Sequence, residues 1–335
     1  MRWTYKPEPE AERTALLAAA LKVDPLVAGL LVQRGICNFE EARAFFRPQL
    51  EHLHDPFLMK DMDRAVIRIE EAVGSGERIL IYGDYDVDGT SSVALIIAYL
   101  REFYPNIASY IPDRYTEGYG VSFQGIDFAA DNDISLIIAL DCGVKATEQV
   151  AYAKQRGVDF IICDHHRPGP QLPEAIAVLD PKREDCPYPY KELCGCGVGF
   201  KLIQALHMRK GLTVASLLPY LDLVAVAIAA DIVPMTGENR VLSHYGMRVI
   251  NENPRPGLRA LMESIERDSY KISDLVFQLV PRLNAAGRME HGQQAVRLLT
   301  EQDLSLAREQ AKAIELLNVQ RRGMDRQITE EALEL

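Results

Sequence analysis

Cysteine is scarce in this 335-residue chain, and the six present, at positions 37, 142, 163, 186, 194 and 196, sit mostly in apolar or glycine-rich segments. So few thiols in so long a chain exclude a disulfide framework and read as reduced, packing residues. Cys194 and Cys196, with Cys186 nearby, lack the two-residue spacing and the second pair of a zinc ribbon. No apolar run approaches the roughly 18 residues of a membrane span, and the opening MRWTYKPEPE has no apolar core of the secretory kind. Together these absences predict a cytoplasmic protein with no membrane partner. Positive charge is also short: 37 Lys and Arg against 48 Asp and Glu, a net −11, argue against coating nucleic acid by bulk electrostatics. They leave room for a local basic groove, or for an acidic site that holds phosphates through bound cations.

What is present is ordinary in bulk, 48% hydrophobic and 25% charged, in a chain longer than a single core usually supports. Apolar periodicity makes residues 1–75 a helical N-terminal segment, whose last helix, DMDRAVIRIEEAV, stops at Gly74-Ser-Gly76. From 76 to 200 strands and helices alternate: strand 78–82, helix 91–104, strand 106–111, strand 135–140, helix 145–157, strand 158–163 and a short strand 176–179. That alternation predicts an α/β fold with a doubly wound, mostly parallel sheet, whose ligands bind at the carboxyl ends of the strands. Residues 201–300 turn helical. Residues 301–335 read as one long connecting helix of roughly 45 Å, interrupted only by Gly323, that leads toward a following domain absent from this sequence.

The chemistry gathers at strand ends. ILIY runs into Asp84, Asp86 and Asp88; SLIIAL into Asp141; VDFIIC into Asp164, His165 and His166; and the apolar helix LVAVAIAA ends on Asp231. In a parallel sheet the first three sites converge on one edge. Carboxylates so crowded would hold one another protonated unless cations sat among them. An oxygen-rich, thiolate-free donor set with one or two imidazoles suits Mn²⁺ or Mg²⁺, and its size suits two ions about 3.5–4 Å apart, which would clamp a phosphoryl group. A lone Asp after a strand is usually a helix cap. A calcium loop beginning at Asp84 fails, because its twelfth position is Leu95 rather than an acid.

In order and spacing, D-Y-D-V-D-G-T (84–90), D-C-G (141–143), D-H-H (164–166) and A-A-D (229–231) resemble the four motifs of the DHH phosphoesterase superfamily. DPFLMKDMDRAV (55–66), IPDRYTEGYG (111–120), CGCGVGFKL (194–202), LDLVAVAIAADIVPMTGENR (221–240) and VPRLNAAGRMEH (280–291) resemble its single-stranded-DNA exonuclease branch, so the likeness spans nearly the whole chain. The resemblance implies Asp86 and Asp141 on one metal ion and Asp88, Asp141, His165 and Asp231 on the other, with Asp141 bridging. It implies Asp84 beside the first ion, His166 against the scissile phosphate and Asp164 orienting a neighbour. It also implies 5′-to-3′ hydrolysis of single-stranded DNA to mononucleotides in repair and recombination, with single-strand-binding protein and other repair proteins as partners. Arg114, Arg282, Asn284 and Arg288 sit among Gly, Asn and Pro, as in loops that hold functional side chains. The resemblance places both segments near the cleft, where the arginines would contact phosphate; the alternative is saturation by loop carbonyls or a carboxylate such as Glu117. Tyr115 and Tyr119 would stack on bases, with packing of a turn as the alternative for Tyr119. Superfamily hydrolases of short or cyclic oligonucleotides resemble a motif with a histidine just ahead of the aspartates, where this chain has Ile81, Tyr82 and Gly83. A non-catalytic nucleic-acid-binding scaffold would have lost acidic or imidazole positions that are all present here.

Overall fold

The computed structural model describes Thr4 and residues 6–265 and 267–334. The chain forms two compact units, residues 1–53 and 54–335. In the first, α1 (Ala11–Leu21), α2 (Pro25–Val32) and α3 (Phe39–Phe46) close over Leu17, Ala28, Leu31 and Ala42. Asp24 and Asn38 cap α2 and α3 by accepting the amides of Leu26 and Glu41. The helix α4 (Met62–Ser75), grouped by sequence with the N-terminal segment, belongs to the second unit and stops at Gly76, which takes a left-handed conformation.

Five parallel strands make the sheet of the second unit: β1 (Arg78–Gly83), β2 (Ile107–Tyr110), β3 (Ile134–Leu140), β4 (Asp159–Cys163) and β5 (Ala177–Leu179), in the order β2-β1-β3-β4-β5. Strand residues alternate between faces. Leu80, Tyr82, Ile137, Ala139, Phe160 and Ile162 pack under α6 (Phe123–Asp131) and α7 (Thr147–Gln155). Ile79, Ile81, Ile138 and Leu140 face α5 (Val87–Arg101) and α8 (Gly195–Arg209). Burial on both faces explains why the strands read as continuous apolar runs. The order reverses between β1 and β3, the switch point where such sheets open a crevice.

Helical elements complete the unit: α9 (Leu221–Asp231), α10 (Gly237–Glu252), α11 (Pro256–Met262), the single turn α12 (Ile272–Asp274), α13 (Val280–Met289), α14 (Gln293–Thr300) and α15 (Leu304–Glu334). Four expectations are corrected. Helix α5 begins at Val87 rather than 91, because Asp86 caps it through the Gly89 amide. Helix α6 was not foreseen, although Ser122 caps it and Ile126 and Ala129 bury. The helical stretch Val214–Asp231 spans 18 residues and is long and apolar enough to cross a membrane. Most of it is buried, α9 lying among α5, α8 and α10, so here it is core. Helix α15 runs 31 residues straight through Gly323.

Candidate metal centre

Four of the five strands are followed at once by an aspartate: Asp84 after β1, Asp141 after β3, Asp164 after β4 and Asp180 after β5. All four are buried. Asp88, in the first turn of α5, is buried too; its oxygens accept the amides of Gly195 (2.7 Å) and Cys196 (2.8 Å) at the start of α8. Two helix N-termini therefore point positive ends at one acidic cluster. Asp86 is exposed and bonds the Gly89 amide at 3.0 Å.

His165 is the hub. Its Nε2 lies 3.2 Å from Asp141 Oδ1, 3.7 Å from Asp231 Oδ2 and 3.9 Å from Asp88 Oδ2. The donor atoms of Asp88, His165 and Asp231 lie within 4.8 Å of one another, as do those of Asp141, His165 and His166. Asp141 Oδ1 and both oxygens of Asp84 are buried without a hydrogen bond among the described residues. Amides of Tyr85 and Gly120 lie close enough to favour the Asp84 anion, though neither completes a hydrogen bond to it. Buried, unpaired carboxylate oxygens are rare, and these converge with an imidazole nitrogen. The donor set is hard, oxygen-rich and free of thiolate, so the residues fit divalent cations.

Electrostatics agree. Burial, then repulsion from Asp86, pushes Asp84 up to about 7. Burial, with Asp231 and Asp86, pushes Asp88 up to about 8 despite its two amides. Asp141 rises well above the usual range through burial and the charges of its neighbouring aspartates, and Asp231 goes up to about 6. Burial lowers His165 to about 4, which keeps its ring neutral and able to ligate.

Asp164 stands apart. Burial would raise its pKa, but His166 and the amides of Val144 and His166 hold it below the usual carboxylate range. Its Oδ2 accepts the Val144 amide, while Oδ1 accepts the amides of His165 and His166 and lies 2.7 Å from His166 Nδ1. The ionised acceptor holds a proton on Nδ1 and raises the proton affinity of the His166 ring, favouring an imidazolium whose Nε2 lies 3.3 Å from the Tyr119 hydroxyl.

Local backbone explains how the side chains meet. Asp141 has φ 59° and Ile232, after Asp231, has φ 55°, both in the left-handed region. For a β-branched residue that is a strained conformation, and strain of this kind gathers at functional sites. A Cβ on Gly195 would come within 2.5 Å of Asp141 Oδ1, so only glycine lets α8 reach the cluster.

The remaining predicted residues divide. Arg114 is exposed, its guanidinium 5.1 Å from the centre of the Tyr85 ring, on a loop held by Glu117 through Tyr110, Ser122 and the Asp113 amide. Tyr115 donates to the Arg288 carbonyl at 2.8 Å, and exposed Tyr119 touches His166 and Tyr85 edge-on. Arg282, Asn284 and Arg288 lie on helix α13 rather than in a loop. Arg288 is exposed and Asn284 partly so. Arg282 is already engaged: its Nε pairs with Glu315 at 2.5 Å and its Nη1 donates to the Gln278 carbonyl at 2.7 Å. That is the structural alternative, with Glu315 and Gln278 as the partners. Sequence reading missed Asp180, fully buried, raised to about 7 by burial, with Oδ2 unbonded among the described residues. Its signal was the same strand-then-aspartate pattern.

Residues 78–228 match the DHH family, N-terminal domain, and the chain belongs to that family. Within it the chain is similar to the single-stranded-DNA-specific exonuclease RecJ. It is 40% identical to RecJ of Bacillus subtilis (strain 168), over all of this chain and 42% of that protein, and 35% identical to RecJ of Escherichia coli (strain K12), over 97% and 58%. A crystal structure of exonuclease RecJ bound to manganese superposes with TM-score 0.77 at 32% identity, covering 85% of this chain and 71% of that one. RecJ from Thermus thermophilus in complex with Mn²⁺ gives TM-score 0.84 at 29% identity, over 98% and 47%. The chain thus spans about half the length of the curated relatives it matches.

Proposed function

We propose that this chain is the catalytic core of a metal-dependent exonuclease that hydrolyses single-stranded DNA from the 5′ end to mononucleotides. The observation that carries the reading is the convergence of His165 Nε2 with three carboxylates at the β1/β3 switch point, alongside buried Asp84 and Asp141 oxygens that have no hydrogen bond among the described residues. Manganese in the structures of two similar proteins supports Mn²⁺, with Mg²⁺ as the alternative. Asp88, Asp141, His165 and Asp231 would hold one ion; Asp86 and Asp141, with Asp84 beside them, would hold the other. When bound, such ions supply an acidified water and neutralise charge developing on phosphorus. His166, its imidazolium favoured by the ion pair with Asp164, would donate Nε2–H to a phosphate oxygen. Arg114 and Arg288 are exposed cations for backbone phosphates, and Tyr115 and Tyr119 offer faces for bases. Work in the cytoplasm on DNA intermediates, beside single-strand-binding protein and other repair proteins, completes the reading.

The test uses 5′- and 3′-labelled single-stranded DNA with Mn²⁺, Mg²⁺ or chelator. Mononucleotides should leave the 5′ end only with metal, and Asp141→Ala should abolish turnover at every Mn²⁺ concentration. Near-normal activity of that variant would overturn the bridging assignment.

A further inference from the structure

We propose that Arg167 and Lys182 form a second phosphate subsite, flanking the metal centre on the β5 side, that grips a backbone phosphate of the nucleic-acid strand. The inference rests on the nuclease reading and extends it to residues outside the four motifs.

The two side chains line a cavity of about 610 Å³, walled by Pro168, Pro170, Leu172 and Arg183. Arg167 directly follows His166, so it leaves the same short loop that carries the phosphate-facing imidazole. Lys182 lies two residues beyond Asp180 at the end of β5, and its amide donates to Asp180 Oδ1 at 2.7 Å. β5 pairs with β4, and neighbouring strands run roughly 4.8 Å apart. The cavity is thus one strand along the same carboxyl edge from His165 and His166. The Lys182 charge is felt at both His165 and Asp231, consistent with that adjacency.

Charge pairing decides which lining groups are available. Arg183 is consumed by Asp61 (2.7 Å), Asp185 (2.8 Å) and the Val178 carbonyl (2.6 Å). That pairing also neutralises Asp185. The side chains of Arg167 and Lys182 make no hydrogen bond or ion pair among the described residues, and the one other charged lining residue without such a partner is Glu184, which is exposed. Two uncommitted cations facing one exposed acid leave a net positive cradle beside an acidic centre. Guanidinium and ammonium are the phosphate partners of choice, the first as a bidentate fork and the second as a point charge. Arg114 over Tyr85 occupies the β1/β2 side, so cations flank the metal centre on both sides along the sheet edge.

Binding of labelled single-stranded DNA is measured by fluorescence anisotropy in chelator, so that hydrolysis plays no part, for wild type, Arg167→Ala, Lys182→Ala and Lys182→Arg. Each alanine variant should bind about tenfold more weakly at low salt and flatten the dependence of log K on log salt by about 0.7, with Lys182→Arg keeping most of the wild-type affinity. Strands carrying a single neutral methylphosphonate at successive linkages then identify the contact. At one linkage wild type should fall to the level of Lys182→Ala, and that variant should lose nothing further. Alanine variants that bind like wild type, or a loss that is the same whichever linkage is neutral, overturn the subsite. Absence of DNA hydrolysis by the wild type with metal would instead overturn the nuclease reading, a result the anisotropy comparison does not depend on.

Discussion

Asp84, Asp88 and Asp231 carry raised proton affinities, about 7, 8 and 6, because burial and mutual repulsion disfavour their charged forms. In the unfolded chain each would titrate near about 4. Between pH 4 and 8 the metal-free native state therefore binds more protons than the unfolded state, and its stability falls as pH rises through that window. Cations reverse the penalty by replacing protons. Thermal unfolding with chelator should give a lower midpoint at pH 8 than at pH 5.5, and added Mn²⁺ should raise the midpoint more at pH 8. A metal-free midpoint that climbs from pH 5.5 to 8 would mean the cluster is not the strained group described here. Most members of the site were legible because each motif residue follows an apolar run. Asp86 as a helix cap, the Asp88 bonds to α8 and the pairing of Arg282 with Glu315 were not, since they depend on partners 3 to 108 positions away.

At the scale of elements, α5 both links β1 to β2 and carries Asp86 and Asp88 into the cleft, while α13 packs behind it. A Cβ on Gly287 of α13 would lie 2.3 Å from the Tyr85 carbonyl oxygen, between two site aspartates. Gly287→Ala must push α13 or the Tyr85 segment aside, and small displacements of catalytic groups are costly; kcat/KM should fall at least tenfold. Gly323 in α15 meets nothing within 4 Å. Gly323→Ala should leave turnover unchanged and stabilise that stretch of helix by up to ~1 kcal/mol, read as roughly fivefold slower amide exchange around it. Periodicity revealed α4, α5 and α15 and the central strands. It failed for α6, where nine residues gave too short a pattern, and for α13, where Pro281, Asn284 and Gly287 suggested a loop. Residues 272–289 are continuously helical, and the π-helical stretch Leu275–Leu279 lies just ahead of Pro281, whose missing N–H an ordinary helix interior tolerates poorly.

Across the second unit, a buried ion pair ties distant segments together. Lys201 Nζ lies 2.6 Å from Glu238 Oε1, both essentially inaccessible, and the pair also binds the His54 backbone, Gln204 and the Tyr188 hydroxyl. Removing one partner strands the other charge, so Lys201→Met should lower the unfolding free energy by about 3 kcal/mol in a urea titration. A loss below about 1 kcal/mol would mean water reaches Glu238. Nothing in the sequence announced this pair, because a lysine and a glutamate 37 positions apart look like two surface charges. The sequence by itself determined the parallel sheet, the edge at which its ligands gather and the acid–imidazole set placed there, because an apolar run ending in aspartate encodes both a buried strand and the donor group at its carboxyl end. Tertiary structure alone decided which arginines remain free for phosphate, which carboxylates lack partners and how helix N-termini meet them, because hydrogen bonding and burial belong to groups that only folding brings together.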